Sequence, residues 1–140
     1  MKPELLAPCG IDCSVCSFYL AFLNAIPKKR GRISHCAGCR PRNKQCAFLK
    51  GHCERLKNNE VEFCFQCPVY PCERLQHLDQ RYRRDYGMSL IQNLDEIREF
   101  GAARFIAEQQ DRYGCPNCGG RISVHNKKCF RCERITSWKS

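Results

Sequence analysis

The chain has 140 residues, with 24 Lys and Arg against 14 Asp and Glu, a formal charge of +10 and a mean hydropathy of −0.54. Fourteen cysteines inflate the 43% hydrophobic content, so the apolar inventory is modest and stability must come partly from cross-links or metal. That length excludes more than one domain plus a small module, and the one apolar run, residues 17–26, is roughly half a membrane span with its cations on the wrong side for a secretion signal.

Residues 1–13 hold Pro3, Pro8 and Gly10 and read as irregular chain leading into Cys13. From Ser14 the spacing of Val15, Phe18, Tyr19, Phe22, Leu23 and Ile26 predicts a helix whose apolar stripe is broad enough to be core, ended by Pro27. Residues 27–45 form a basic loop region with a knuckle at Cys36 and Cys39. Residues 46–58 fit a short helix that Gly51 weakens. A second knuckle follows at Cys64 and Cys67. Pro71 then suits the first position of a helix running to about Arg84. Ser89 with Gln92 makes a capping box for a helix carrying Leu90, Ile91, Leu94 and Ile97 on one side. Gly101 stops it, and a further helix over 102–112 buries Phe105 and Ile106.

The last residues carry the most specific local pattern. Cys115, Cys118, Cys129 and Cys132 have the CxxC-x10-CxxC spacing of a zinc ribbon. Alternating Ile122 and Val124, with a turn at Asn126–Lys128, predict a β-hairpin, and Ile135 and Trp138 supply a return strand. The expected fold is therefore small, metal-stabilised and mainly α, with irregular cysteine-rich loops and a C-terminal β-hairpin zinc ribbon. The expected divisions are a cysteine-rich domain over 1–84, a helical connector over 85–113 and the ribbon over 114–140.

Ten more cysteines fall in the block from 9 to 72: Cys9, Cys13, Cys16, Cys36, Cys39, Cys46, Cys53, Cys64, Cys67 and Cys72. The repeated two-residue gaps suit metal knuckles better than a disulfide framework, in a reducing, cytoplasmic setting. With the ribbon this makes all fourteen cysteines candidate ligands, for about three zinc ions per chain by the four-thiolate rule. An iron–sulfur cluster in the 9–72 block is the alternative, since such thiolate sets accept either. Grouping by shortest loops joins Cys36, Cys39, Cys46 and Cys53, and pairs Cys13 and Cys16 with Cys64 and Cys67. Cys9 and Cys72 are then left over, and Cys72, in the first turn of a helix, becomes the expected reactive thiol; the alternative is that Cys72 or Cys9 is itself a ligand and another cysteine is left out. The Cys9-x3-Cys13-x2-Cys16 spacing also matches that of radical S-adenosylmethionine enzymes, but the chain has no room for their barrel. His35 and His52 each precede a cysteine and are weaker ligand candidates; His77 and His125 are weaker still.

The block resembles a family of small, cysteine-rich prokaryotic proteins of unknown function with a CGxDCxxC signature. The residues that carry the likeness are Cys9–Cys16 with Tyr19, Cys36–Cys39, Val61–Cys67 and Tyr70–Leu75. Longer members are similar also in Asn93–Ile97, Gly101 and a terminal ribbon containing Ile122–His125. The resemblance implies a zinc-binding protein with no assigned activity and no catalytic residues to carry over.

No paired carboxylates, phosphate loop or nucleophile triad is present, and a complete cysteine quartet leaves no open metal position, so an enzyme is not the favoured reading. The expected function is a zinc-binding adaptor module with a protein partner and no membrane partner. Nucleic-acid binding is an alternative, through Lys28–Arg32, Arg40–Lys44 and Arg81–Arg84. Each four-thiolate zinc site carries a net two negative charges, however, so three of them would lower +10 to about +4. Thiol redox chemistry is a third reading, on thiols outside the quartets.

Overall fold

The computed structural model describes residues 5–38, 55 and 60–140. Among the described residues four α-helices carry the architecture: α1 (Ser17–Leu23), α2 (Glu73–Tyr86), α3 (Leu90–Phe100) and α4 (Ala102–Arg112). Short 3-10 turns lie at Cys13–Val15 and Cys64–Gln66. The helix expected over 46–58 falls outside the described residues, except for Arg55.

The three long helices match their sequence signals closely. Leu75, Leu78 and Tyr82 form the buried stripe of α2, and Gly87, at φ 68°, ends it in the left-handed region that glycine tolerates. Ser89 caps α3, its Oγ accepting from the Gln92 N–H at 3.1 Å and donating to Asp79 Oδ1 at 2.8 Å. Asp79, buried on α2, also accepts from the Ile91 N–H at 3.0 Å and pairs with Arg83. One carboxylate thus locks the start of α3 to the side of α2. Pro71 lies before the helix rather than in it: its peptide bond is cis, and Cys72 is the N-cap of α2.

The main core joins the N-terminal loop to these helices. Leu6, Ile11 and Val15 pack with Phe63, Leu75, Leu90, Leu94, Phe105 and Val124, all buried. At about 25 cal/mol per Å² of apolar surface, such burial is the main cohesive term. A smaller cluster of Leu20, Ala21, Ile33 and Phe130 binds α1 to the C-terminal segment.

Three polar residues set the N-terminal loop on the helices. Asp12 is 1% exposed. Its Oδ1 accepts from the N–H (3.0 Å) and hydroxyl (2.6 Å) of Ser14, and its Oδ2 from Gln109 Nε2 of α4 at 3.0 Å. Burial pushes its carboxyl above the usual range, against these hydrogen bonds, which hold it down. Asn93 of α3, also buried, donates to the Gly10 carbonyl at 2.9 Å.

Two sequence expectations are overturned. Helix α1 is shorter than predicted, and its stripe is not all core: Leu20 and Ala21 are buried, whereas Phe22 is 48% and Leu23 58% exposed. The 3-10 turn at 13–15 rotates the helix start, so the periodicity counted from Ser14 runs out of phase with the buried face.

The C-terminal β-hairpin is also not formed. Among the described residues there is no strand, only isolated bridges, here Gly114↔Arg121 and Ile122↔Cys129. The amide that would extend the ladder, Val124 N–H, instead donates to the Val15 carbonyl at 2.9 Å. Past the turn the expected return strand is likewise drawn away, Trp138 N–H donating to the Arg32 carbonyl at 2.8 Å. Docking on the N-terminal region takes the hydrogen bonds a hairpin would have used. The fold is cysteine-rich and mainly α.

Candidate metal centre

Cys115, Cys118, Cys129 and Cys132 are drawn together by the two knuckles. Their sulfurs all lie within 4.8 Å of one another. Cys115 and Cys132 are 3.7 Å apart, Cys118 and Cys129 3.5 Å. A tetrahedral ion with sulfur at about 2.3 Å requires edges near 3.8 Å, so the set could hold one metal ion.

The local backbone prepares these sulfurs for negative charge. At each knuckle the chain turns so that an amide points back at sulfur: Gly120 N–H, just after the first, donates to Cys118 Sγ at 3.3 Å, and Arg131 N–H, within the second, to Cys129 Sγ at 3.4 Å. The amides of Asn117 and Cys118 pull the Cys115 thiol down to about 7. Crowding acts the other way on Cys132, whose hydrogen bonds with Cys129, Cys118 and Cys115 push it up to about 12. Burial raises Cys129. Four thiolates cannot share this volume without a cation, and a dication removes the conflict.

The C-terminal segment that carries the centre is anchored to the start of α1. His125 Nδ1 accepts from the Ser17 N–H at 3.1 Å. Ser17 Oγ donates to the Trp138 carbonyl at 2.6 Å, so the 2.7 Å contact with Ser123 Oγ has Ser123 as donor. The His125 ring is packed by Phe18, Tyr82, Tyr86 and Trp138. Burial, with the nearby Lys127 charge, drops it to about 4. Sequence reasoning gave His125 only a weak ligand claim and missed its packing role, because alternation with Ile122 and Val124 carries no signal that this ring is buried.

The block cysteines are placed differently. Cys9, Cys13, Cys16 and Cys64 are buried, while Cys36, Cys67 and Cys72 are half-buried. Cys39, Cys46 and Cys53 lie outside the described residues. Among the described residues no three block cysteines come as close as the C-terminal four. Cys13, Cys16, Cys64 and Cys67 do not form a four-sulfur group of that closeness. The Cys64 N–H donates to the Pro8 carbonyl at 2.9 Å, which sets that knuckle beside Pro8 and Cys9. The 13–16 turn instead faces the C-terminal segment through Val15 and Ser17. Arg55 Nη1 donates to Cys67 Sγ at 3.4 Å. Cys72 sits at the N-cap of α2 with no side-chain capping bond. His35 uses Nε2 on the Ile26 carbonyl at 2.6 Å, His77 lies near Glu73 on the surface, and His52 is outside the described residues.

A helical, cysteine-rich scaffold with a four-sulfur group able to hold a metal ion defines the class. The chain belongs to the family described as "Protein of unknown function (DUF3795)", whose model matches residues 5–77. That match takes in the Cys9–Cys16 segment and the start of α2, whereas the four-sulfur group lies beyond it. No curated protein and no solved structure matches the chain.

Proposed function

We propose that this protein is a zinc-held binding module that presents its surface to a protein partner, and that it carries about three zinc ions per chain, one of them at Cys115, Cys118, Cys129 and Cys132. The observation that carries the reading is the sulfur spacing at that group, 3.5 and 3.7 Å, which fits the edge of a single tetrahedral ion. A cluster interposes irons and sulfides and would hold the thiolates farther apart. Four protein sulfurs leave no open position for a water or a substrate, which favours a structural over a catalytic ion. The amides aimed at sulfur stabilise thiolate and support the same reading.

Elemental analysis of protein purified without metal-affinity steps tests it. Zinc at about three equivalents supports the full reading, and about one confines the metal to the C-terminal group. Iron in a coloured preparation contradicts zinc and supports a cluster in the block. Absence of any bound metal contradicts the proposal outright.

A further inference from the structure

The tip of α1 leaves two adjacent large apolar side chains uncovered, as the fold also does singly at Val69 and Phe100. Phe22 and Leu23 end the helix, and every residue from 22 to 32 except Asn24 and Ile26 is exposed. The reversal is built rather than loose. Asn24 Nδ2 donates to the Leu20 carbonyl, Ala25 takes a positive φ of 52°, and Ile26 N–H returns to the Ala21 carbonyl. A second tight turn follows, Lys29 N–H donating to the Ile33 carbonyl at 2.9 Å and Ile33 N–H to the Lys29 carbonyl at 2.7 Å. Lys28, Lys29, Arg30 and Arg32 project from it, all exposed.

The charge along this stretch of chain is of one sign. No acidic residue occurs between Asp12 and Glu54. Residues 39–54 add little negative charge to balance it, carrying Arg40, Arg42, Lys44 and Lys50 against Glu54 alone. Adjacent aromatic and aliphatic groups beside a ring of cations match an anionic lipid surface, which takes apolar side chains between its headgroups and cations at their phosphates. Nucleic acid would have no use for Leu23, and Asn24, the one side-chain amide there, is occupied within the helix. An interfacial contact needs no membrane span, and no described helix is long and apolar enough to provide one.

We propose that the α1 tip, Phe22 and Leu23 with Lys28, Lys29, Arg30 and Arg32, docks this protein reversibly on anionic lipid bilayers. The contact goes beyond the metal-held module and is independent of the metal's identity.

Co-sedimentation of the full, metal-loaded chain with large vesicles tests it. Uptake is expected on vesicles containing about a third phosphatidylglycerol and not on pure phosphatidylcholine, and it should fall as salt rises. Replacing Lys28, Lys29 and Arg30 by Gln should weaken binding roughly a hundredfold, at about a factor of five per cation. Leu23→Ser should weaken it about tenfold by removing an inserted apolar group. Metal content and circular dichroism matching the parent establish that each variant is folded, and Leu23→Ser and the Gln variant are read independently. Equal uptake on neutral vesicles, no uptake on either, or anionic binding indifferent to Leu23→Ser overturns the proposal. Capture by a single-stranded oligonucleotide or by polyglutamate without uptake on vesicles overturns it too, in favour of nucleic acid or an acidic protein.

Discussion

Gly10→Ala tests whether the N-terminal loop is seated on α3 by close backbone approach. Gly10 has a φ of 91°, and a Cβ added there would lie 2.6 Å from the Leu90 carbonyl oxygen and 3.0 Å from Leu94 Cγ. The first neighbour is helix backbone and cannot rotate away. Asn93 holds the two segments together through the Gly10 carbonyl, so the loop cannot lift without breaking that bond. Positive φ costs an alanine about 1–2 kcal/mol, and overpacking adds about 1–3 kcal/mol, giving a destabilisation of about 2–5 kcal/mol. Gly87→Ala is the control: its φ is 68°, nothing lies within 4 Å of its added Cβ, and only the backbone cost applies. Urea unfolding followed by circular dichroism, at fixed free zinc so that metal linkage is constant, gives both values. For a chain of this size the Gly10 variant should melt about 6–15 °C lower. If Gly10→Ala is no worse than Gly87→Ala, the close approach to Leu90 is refuted.

Asn93→Ala should cost about 1–3 kcal/mol, because the Gly10 carbonyl loses its buried donor, and should be non-additive with Gly10→Ala. Additive effects in the double variant would show that the two residues act separately. Chelation should expose Trp138, the sole tryptophan, which packs against Phe18 and His125, while part of the helical signal of α2–α4 persists. Unchanged fluorescence and circular dichroism after complete metal removal would refute that coupling. His125 supplies a pH dependence. Its ring is held down to about 4 by burial, so between the free-histidine range near 6.5 and about 4 the unfolded chain binds more protons. Stability therefore falls as pH drops through that window, by at most about 3 kcal/mol from this residue. His125→Asn keeps an acceptor for the Ser17 N–H without titrating, so the parent curve minus the Asn curve isolates the histidine. A difference that stays flat from about pH 7 to about 4.5 would contradict the buried neutral ring.

Local chemistry was legible in the sequence. The starts and stops of α2, α3 and α4 follow from Ser89, Gly87, Gly101 and the apolar spacing, because caps and periodicity act within a few residues. The C-terminal four-cysteine group was equally legible, since two knuckles separated by a short loop have little choice but to converge. Tertiary contacts decided the rest. Val124 and Trp138 turn their amides toward Val15 and Arg32, so a segment with hairpin alternation does not become one. The 3-10 turn before α1 shifts which face is buried and leaves Phe22 and Leu23 outside. Pairing of Cys13 and Cys16 with Cys64 and Cys67 was what the short-loop grouping of the other four cysteines left over, and among the described residues these four do not gather as the C-terminal four do. A hydrogen-bond donor favours one partner at a time, and which partner wins depends on residues as many as 121 positions apart, as with Ser17 and Trp138, a choice that no local pattern contains.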